Sequence, residues 1–332
     1  MRRRVFIGAL GGLAFASPSL AVAQRGEAVR RVAWLGLGKP DPLSPYVDSL
    51  RAGLRESGWI EDQNLTLSLY WATGRDDMEA VARGLLSTNP EIIVTQELMT
   101  YALRDTKTVK PVVFGFSGDP VEGKLVESLA RSGGNFTGMS YLAIELVGKR
   151  IELLKEWLPQ IRHLAVLARP QHPGDHLERQ ASEAVARNLG LDFSYVAYQA
   201  PSLPARDLNE LDQAFEMIVR NRCDALVVFP DSAMYEICDR VAKLAIEANL
   251  PTVSGWTPFA HAGLLMTYGP DIRELYRSLG RYVDKILRGT SPANLPVERP
   301  ARFNLAINLR TAKAINIVVP PALLARADEV IE

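Results

Sequence analysis

Apolar residues in this chain fall into short β-rich runs separated by helically spaced stretches. That alternation signals βαβ units and parallel sheets. In the first half the pattern predicts strands over Arg31–Gly38, Leu65–Trp71, Ile92–Thr95 and Pro111–Phe116. Helices are predicted over Ser44–Ser57, Asp76–Ser87, Met99–Thr106 and Val121–Arg131. Gly133-Gly134-Asn135 leads into an extended piece, Phe136–Tyr141. The segment Ala143–Trp157 with Leu158 sets Ile144, Val147, Ile151, Leu154 and Leu158 at helical spacing. The pattern then restarts, with strands over His163–Ala168, Asp192–Tyr198, Ala225–Phe229 and Thr252–Ser254. The accompanying helices lie near Leu177–Leu189, Leu208–Arg220 and Tyr235–Ala248. The tail adds a strand at Leu264–Tyr268, a helix at Ile272–Leu287, a Pro-rich link at Ser291–Pro300, a strand at Phe303–Asn308 and a short helix near Arg310.

Two similar sets of strand–helix units predict an α/β protein of two Rossmann-like lobes with parallel sheets, joined by a multi-strand hinge. The Gly-rich stretch near residue 135 is the expected first hinge, and the late return of the pattern implies further crossovers. The amino-terminal lobe is placed at 28–138 plus about 269–300, and the carboxy-terminal lobe at 139–268 plus about 301–332. Such a clamp has a cleft between its lobes.

The first residues do not fit that alternation. Arg2, Arg3 and Arg4 precede an apolar run from Val5 to Ala16, then Pro18 and the small-x-small site Ala21-Val22-Ala23. This is the three-part layout of a cleaved export signal, 1–23, and the run is too short for a permanent span. Arg3-Arg4-Val5-Phe6-Ile7 also fits a twin-arginine signal, with an ordinary secretory signal as the alternative. The expected mature chain begins at Gln24 and is free in the periplasm; no Cys follows the site, so no lipid anchor is expected there.

Formal net charge is +0 over the 332 residues and becomes −3 without the three leader arginines. No basic tail or stripe exists, which argues against nucleic acid as a partner. No later stretch is long and apolar enough to be a transmembrane helix. The two cysteines, Cys223 and Cys238, sit at opposite ends of a predicted βα unit and are expected to stay unpaired.

Catalytic constellations are missing. Gly36-Leu37-Gly38 lacks the third glycine of a dinucleotide loop, with Asp41 in its place. Gly115-Phe116-Ser117-Gly118-Asp119 is one residue out of register for a nucleophile elbow, and Gly138-Met139-Ser140-Tyr141-Leu142 ends in Leu. His172 and His176 stand four apart, but Pro173 and Gly174 make that stretch a loop, so no metal and no cofactor are expected.

Ligands of open parallel sheets bind beyond the carboxyl ends of the strands. That rule selects the loops Lys39–Asp41, Gln96–Leu98, Ser117–Pro120, Arg169–Gly174, Pro230–Ser232 and Gly255–Pro258. They carry aromatics nearby (Phe116, Tyr101, Tyr141, Tyr235, Trp256, Tyr268), and Ser117, Ser232 and Thr257 are candidate hydroxyl donors. Free N–H groups at helix starts suit a carboxylate, and Arg169 adds a charge. Glu97 is unusual in such a loop and needs a partner, either a cationic ligand group or Arg104. Asp119-Pro120 reads as a helix cap followed by Pro, with ligand contact open as well, and Asp231 reads likewise. The candidate ligand-binding residues are therefore Gln96, Glu97, Phe116, Ser117, Asp119, Ser140, Arg169, His172, Asp231, Ser232, Trp256 and Tyr268.

Several segments together resemble one family. Ser117-Gly118-Asp119-Pro120-Val121-Glu122-Gly123 with Gly133-Gly134-Asn135-Phe136-Thr137-Gly138 is similar to a signature of ABC transporter substrate-binding proteins of the tryptophan/aromatic-amino-acid type. So are Gly148-Lys149-Arg150-Ile151-Glu152-Leu153-Leu154-Lys155, Leu265-Met266-Thr267-Tyr268-Gly269-Pro270 and the stretch from Asn308-Leu309-Arg310 to Ala327-Asp328. The resemblance implies a type I periplasmic-binding-protein fold, capture by hinge closure, and delivery to an ABC permease in the inner membrane. It departs from common usage at Gln96-Glu97-Leu98-Met99 and at Arg169-Pro170-Gln171-His172-Pro173, the loops where ligand choice is made. The expected function is a monomeric solute-binding protein of an importer, taking a small carboxylate such as an aromatic acid or amino acid. The rival readings are a sensory binding subunit and an exported enzyme.

Overall fold

The computed structural model describes residues 29–38, 44–199 and 208–332, so the expected leader and the loop 39–41 lie outside the described residues. In chain order the first elements are β1 (Arg30–Leu37), α1 (Pro45–Glu56), β2 (Leu65–Ala72), α2 (Met78–Ser87), β3 (Ile92–Gln96), α3 (Glu97–Asp105), β4 (Val112–Phe116) and β5 (Phe136–Ser140). Next come α4 (Ala143–Trp157), β6 (His163–Ala168), α5 (Asp175–Asn188), β7 (Asp192–Ala197), α6 (Leu208–Arg220), β8 (Ala225–Val228), α7 (Ser232–Glu236), α8 (Cys238–Glu247), β9 (Thr252–Ser254), α9 (Thr257–His261) and β10 (Met266–Pro270). The last are α10 (Ile272–Leu287), β11 (Val297–Glu298), β12 (Phe303–Asn308), α11 (Leu309–Ala314), α12 (Pro321–Leu324) and β13 (Glu329–Ile331).

The strands form two sheets. The first runs β11-β5-β4-β3-β1-β2 with every pairing parallel. The second runs β13-β12-β10-β9-β8-β6-β7 and is parallel except where β10 meets β12. β3, β4 and β5 are buried at every position. β4 and the first three residues of β3 are accordingly apolar, as parallel strands covered on both faces require, while the polar residues of β3 and β5 are Thr95, Gln96, Thr137 and Ser140.

Helix α10 follows a strand of the second sheet yet packs on the first, against α1, β3, β4 and β5. Two glycines permit this. A Cβ on Gly53 would lie 1.9 Å from the Arg277 carbonyl oxygen, and one on Gly280 would lie 2.5 Å from the Gly53 carbonyl carbon. The chain thus passes between sheets after Ser140, after Pro270 and between Glu298 and Phe303. Gly133-Gly134-Asn135 is not a crossing: β5 still pairs with β4, and the Gly133 N–H donates to the Ala293 carbonyl on the same side.

Two predicted elements differ in kind, and several others are shifted by two residues at an end, α3 among them, which starts at Glu97 rather than Met99. Residues Val121–Arg131 form turns, not a helix. Lys124 is left-handed at φ 54°, and the carbonyl of Leu129 is used by the Val297 N–H of the β11 strand. The helix predicted over Tyr235–Ala248 is two pieces, broken at Ile237 between α7 and α8. The strand predicted at Leu264–Tyr268 sits two residues later, as β10.

Candidate functional site

The carboxyl ends of the two sheets face each other. On the first wall β3 passes into α3 with no loop between them, and Glu97 takes a left-handed φ of 48° to make the turn. That conformation is costly for a side chain with a Cβ. Glu97 is buried, and its Oε2 accepts from the Ser117 hydroxyl at 2.6 Å and from the Ser117 N–H at 3.4 Å. Its Oε1 is buried without a partner. Burial lifts the carboxyl to about 7, against the opposing pull of His172 and of the Ser117 hydrogen bonds.

Two expectations are corrected here. Ser117 is not a free donor, because its proton is spent on Glu97. Arg104 is not the partner of Glu97: it donates to Asp105 and to the Gly123 carbonyl, and its guanidinium lies 4.5 Å from the Tyr101 ring centroid.

The second wall is a chain of paired charges. Asp231 caps α7, accepting from the Met234 N–H at 2.7 Å, and both its oxygens lie 3.4 Å from Arg169 Nη1. Nε2 of His172 meets Glu178 Oε1 at 2.7 Å. Arg150 stands behind Glu178, with Nη1 3.9 Å from Oε2, and its Nε donates to the Tyr268 carbonyl at 2.8 Å. Burial pulls the Arg150 guanidinium down to about 10, against the opposing charge of Glu178. Burial would also discharge His172, but the Glu178 carboxylate more than offsets it and holds the imidazole up at about 9. His172 and His176 do not share a partner: His176 is exposed, 3.8 Å from Glu122 of the first wall.

Aromatic rings close the space around these charges. The Tyr276 hydroxyl donates to Gln96 Oε1, so the Tyr141 hydroxyl, 2.7 Å away, is the donor to Tyr276. Tyr141 in turn meets Trp256 edge-on at 6.1 Å, and Trp256 meets Phe259 the same way. Tyr46 lies 4.9 Å from Tyr276, ring to ring. Its hydroxyl is pushed up by burial and by Tyr235, Cys238, Glu97 and Asp231, groups drawn from both walls. The walls touch: a Cβ on Gly118 would stand 2.9 Å from the Pro173 carbonyl oxygen.

Gln96, Glu97, Ser117, Arg169, His172, Asp231 and Trp256 therefore converge. The other candidates do not join them directly. Phe116 packs edge-on to Tyr101 and Phe114 beneath the first wall. Ser140 accepts from the Leu142 N–H. Asp119 is exposed and caps a turn rather than a helix, accepting from the N–H groups of Val121 and Glu122. Ser232 is half-buried at the start of α7. The Tyr268 ring lies against Phe303, and only its carbonyl reaches the network. Arg150, Glu178, Tyr46 and Tyr276 join this cluster and are absent from the candidates that sequence reasoning selects. Arg150 did leave a signal: it shares a helix face with Val147, Ile151 and Leu154, where a charge has no business unless it is paired.

The fold and this wall-to-wall site define a two-lobed small-ligand binding protein. The chain belongs to the ABC transporter substrate binding protein family, whose profile matches residues 39–331. It is 24% identical over 283 residues to a tyrosine-binding protein of Clostridioides difficile, covering 82% of this chain and 78% of that one. A conserved domain protein of Vibrio cholerae has a TM-score of 0.83 at 25% identity, over 91% of this chain and 99% of its own. An ABC domain from Streptococcus pneumoniae, solved in complex with L-Trp, has a TM-score of 0.81 at 21% identity, over 92% of this chain and 100% of its own. The architecture is that of type I periplasmic binding proteins. No helix among the described residues is long and apolar enough to cross a membrane.

Proposed function

We propose that this chain is the exported capture component of an ABC importer, working in the periplasm after loss of residues 1–23. In this reading it holds a small ligand with a carboxylate and an aromatic body, an aromatic α-amino acid above all, between its two lobes. The observation that carries the proposal is a pair of opposed, incompletely satisfied charges inside an aromatic shell. Glu97 Oε1 on one wall and His172 Nδ1 and Arg169 Nε on the other are buried without partners. A buried polar atom without a partner is costly. A zwitterion supplies an ammonium for one wall and a carboxylate for the other, while the rings of Tyr46, Tyr141, Trp256 and Tyr276 cover its apolar part. The named tyrosine-binding relative and the L-Trp complex support the same ligand class. The three chain passages between the sheets act as the hinge, and closure on ligand is what a permease recognises.

Thermal denaturation of the mature protein against L-Trp, L-Tyr, arylpropionates, sugars and divalent metals tests this. A ligand at a hundred times its Kd adds about 2.7 kcal/mol of stability. L-Trp or L-Tyr is expected to raise Tm by several degrees. A rise with a sugar or a metal alone would overturn the ligand class. Amino-terminal sequencing of exported protein is expected to begin at Gln24.

A further inference from the structure

The second wall offers three cations, and their surroundings differ. Arg169 has its charge met within the wall, at 3.4 Å from both oxygens of Asp231, although its Nε is buried without a partner. Arg150 is bonded through Nε to the Tyr268 carbonyl and paired with Glu178 at 3.9 Å, with its Nη1 making no hydrogen bond. The ring of His172 is fully buried, with Nε2 engaged by Glu178 Oε1 at 2.7 Å and Nδ1 buried without a partner.

The groups facing His172 come from every element packed around it. Glu178 and Asp175 belong to α5, Glu97 reaches across from α3, Asp231 stands at the head of α7, and Arg150 lies beyond Glu178 on α4. Carboxylates dominate this shell, and the nearest of them accepts from the ring itself. The imidazole is held charged up to about 9, through the neutral range. An imidazolium donates from both nitrogens. Its Nδ1–H is thus a charged, buried donor with no acceptor, and such an orphan is more costly than a neutral one.

We propose that the Nδ1–H of His172 receives the ligand's carboxylate, with Glu178 and Arg150 as positioning residues that keep the ring charged and oriented. The proposal rests on the reading above that the cleft takes an aromatic amino acid, and it names the group that reads the acid end. It has a consequence that an arginine-read carboxylate lacks. The cation disappears when the imidazole loses its proton, so carboxylate affinity carries the titration of one histidine. It also ties the site to the hinge, because Arg150 grips the backbone of β10 at Tyr268, just before the chain crosses to α10.

Calorimetric titration separates the outcomes. The probes are L-Trp, indole-3-propionate and tryptamine, measured with wild type and with Glu178→Gln from about pH 5.5 to about pH 9.5. Wild type is expected to bind L-Trp and indole-3-propionate, to bind tryptamine roughly tenfold or more weakly, and to lose affinity for both acids above about pH 9. In Glu178→Gln the loss moves to near neutral pH, and affinity recovers at the acid end. A merely structural role for Glu178 would weaken binding equally at every pH. Equal affinity for tryptamine and L-Trp, or an unshifted profile in the variant, would overturn this inference while leaving the proposed function standing. No binding of any probe by wild type would overturn both. Should Glu178→Gln fail to fold, ¹⁵N NMR of histidine-labelled wild type decides instead. One of the four histidines is then expected to keep both ring nitrogens protonated at about pH 7.5, and four neutral rings would overturn the proposal.

Discussion

Two glutamates, Glu97 and Glu178, are buried on opposite walls of one cleft. Glu97 is 5% exposed and has a single hydroxyl and a distant N–H for company. Glu178 is 0% exposed and stands between His172 and Arg150. The side chain is the same and so is the burial, yet the consequences differ. On the first wall desolvation wins, and the Glu97 carboxyl rises to about 7. On the second wall the carboxylate transfers the benefit to its neighbour and holds His172 charged up to about 9. Burial sets the size of the electrostatic term, and the partner decides which group bears the charge. The cleft thus has an acid short of a cation on one side and a cation short of an anion on the other, the asymmetry on which the proposed ligand class rests.

The largest expected effect comes from breaking the second wall. Arg150→Met keeps length and apolar bulk but leaves Glu178 Oε2 without its cation and the Tyr268 carbonyl without its donor. Removing one member of a buried pair costs about 3–5 kcal/mol. A urea midpoint measured at neutral pH should fall accordingly. A loss no greater than that of an exposed pair such as Arg83–Glu79, 2.7 Å apart on the surface of α2, would mean the second wall is not the braced one.

Next in size, taken group by group, is the dependence of stability on pH. Both raised groups act with the same sign. Each favours the fold in full below its unfolded value and ceases to do so as pH rises through its folded value. For Glu97 that window runs from 4.5 to about 7, and for His172 from 6.5 to about 9. One pKa unit corresponds to about 1.4 kcal/mol, so each group contributes on the order of 3 kcal/mol. These two groups together should make stability decline from mildly acidic pH toward 9. Glu97→Gln is expected to remove the acid half of that decline and, by taking one carboxylate from the His172 shell, to draw the alkaline half toward lower pH. His172→Gln is expected to remove the alkaline half and push the acid half upward. If Glu97→Gln left the acid half unchanged, the contrast between the walls would collapse.

Much of the fold is legible in the amino-acid pattern. Helices α4, α6 and α10 and strands β6, β9 and β12 coincide end to end with the predicted segments, because there the apolar period and the flanking turn residues agree. Residues 121–131 carry a helix-compatible pattern but are overruled by the left-handed Lys124 and by the pairing of β11 with β5. β11 itself is two residues long and owes its form to its neighbour. In the site, Glu97, Ser117, Arg169, His172 and Asp231 are within reach of sequence reasoning because the carboxyl-end rule needs only strand boundaries. Arg150 and Glu178 lie inside helices, and their contacts with each other and with His172 and Tyr268 join distant parts of the chain. Sequence spacing carries no record of such pairings. The alternative pairing of Glu97 with Arg104 fails on distance: residues seven apart share a helix face but stand about 10 Å apart along the axis, and Arg104 is taken by Asp105 and the Gly123 carbonyl.

The smallest effect probes the one hydroxyl donor that Glu97 has. Ser117→Ala removes the hydroxyl at 2.6 Å and leaves only the N–H at 3.4 Å. A hydrogen bond to a charged acceptor is worth about 1.5–3 kcal/mol, and one between neutral groups about 1 kcal/mol. The cost should therefore depend on the charge of Glu97, which changes near 7. Urea unfolding of Ser117→Ala against wild type is expected to show about 2 kcal/mol lost at alkaline pH and about 1 kcal/mol well below neutrality, where the protonated carboxyl makes a weaker pair. A loss that is the same at both ends would assign the hydroxyl a packing role and remove the solitary carboxylate from the first wall's account. A loss that is larger at alkaline pH, together with a steeper fall in L-Trp affinity there, would place the ligand's ammonium beside Glu97 Oε1.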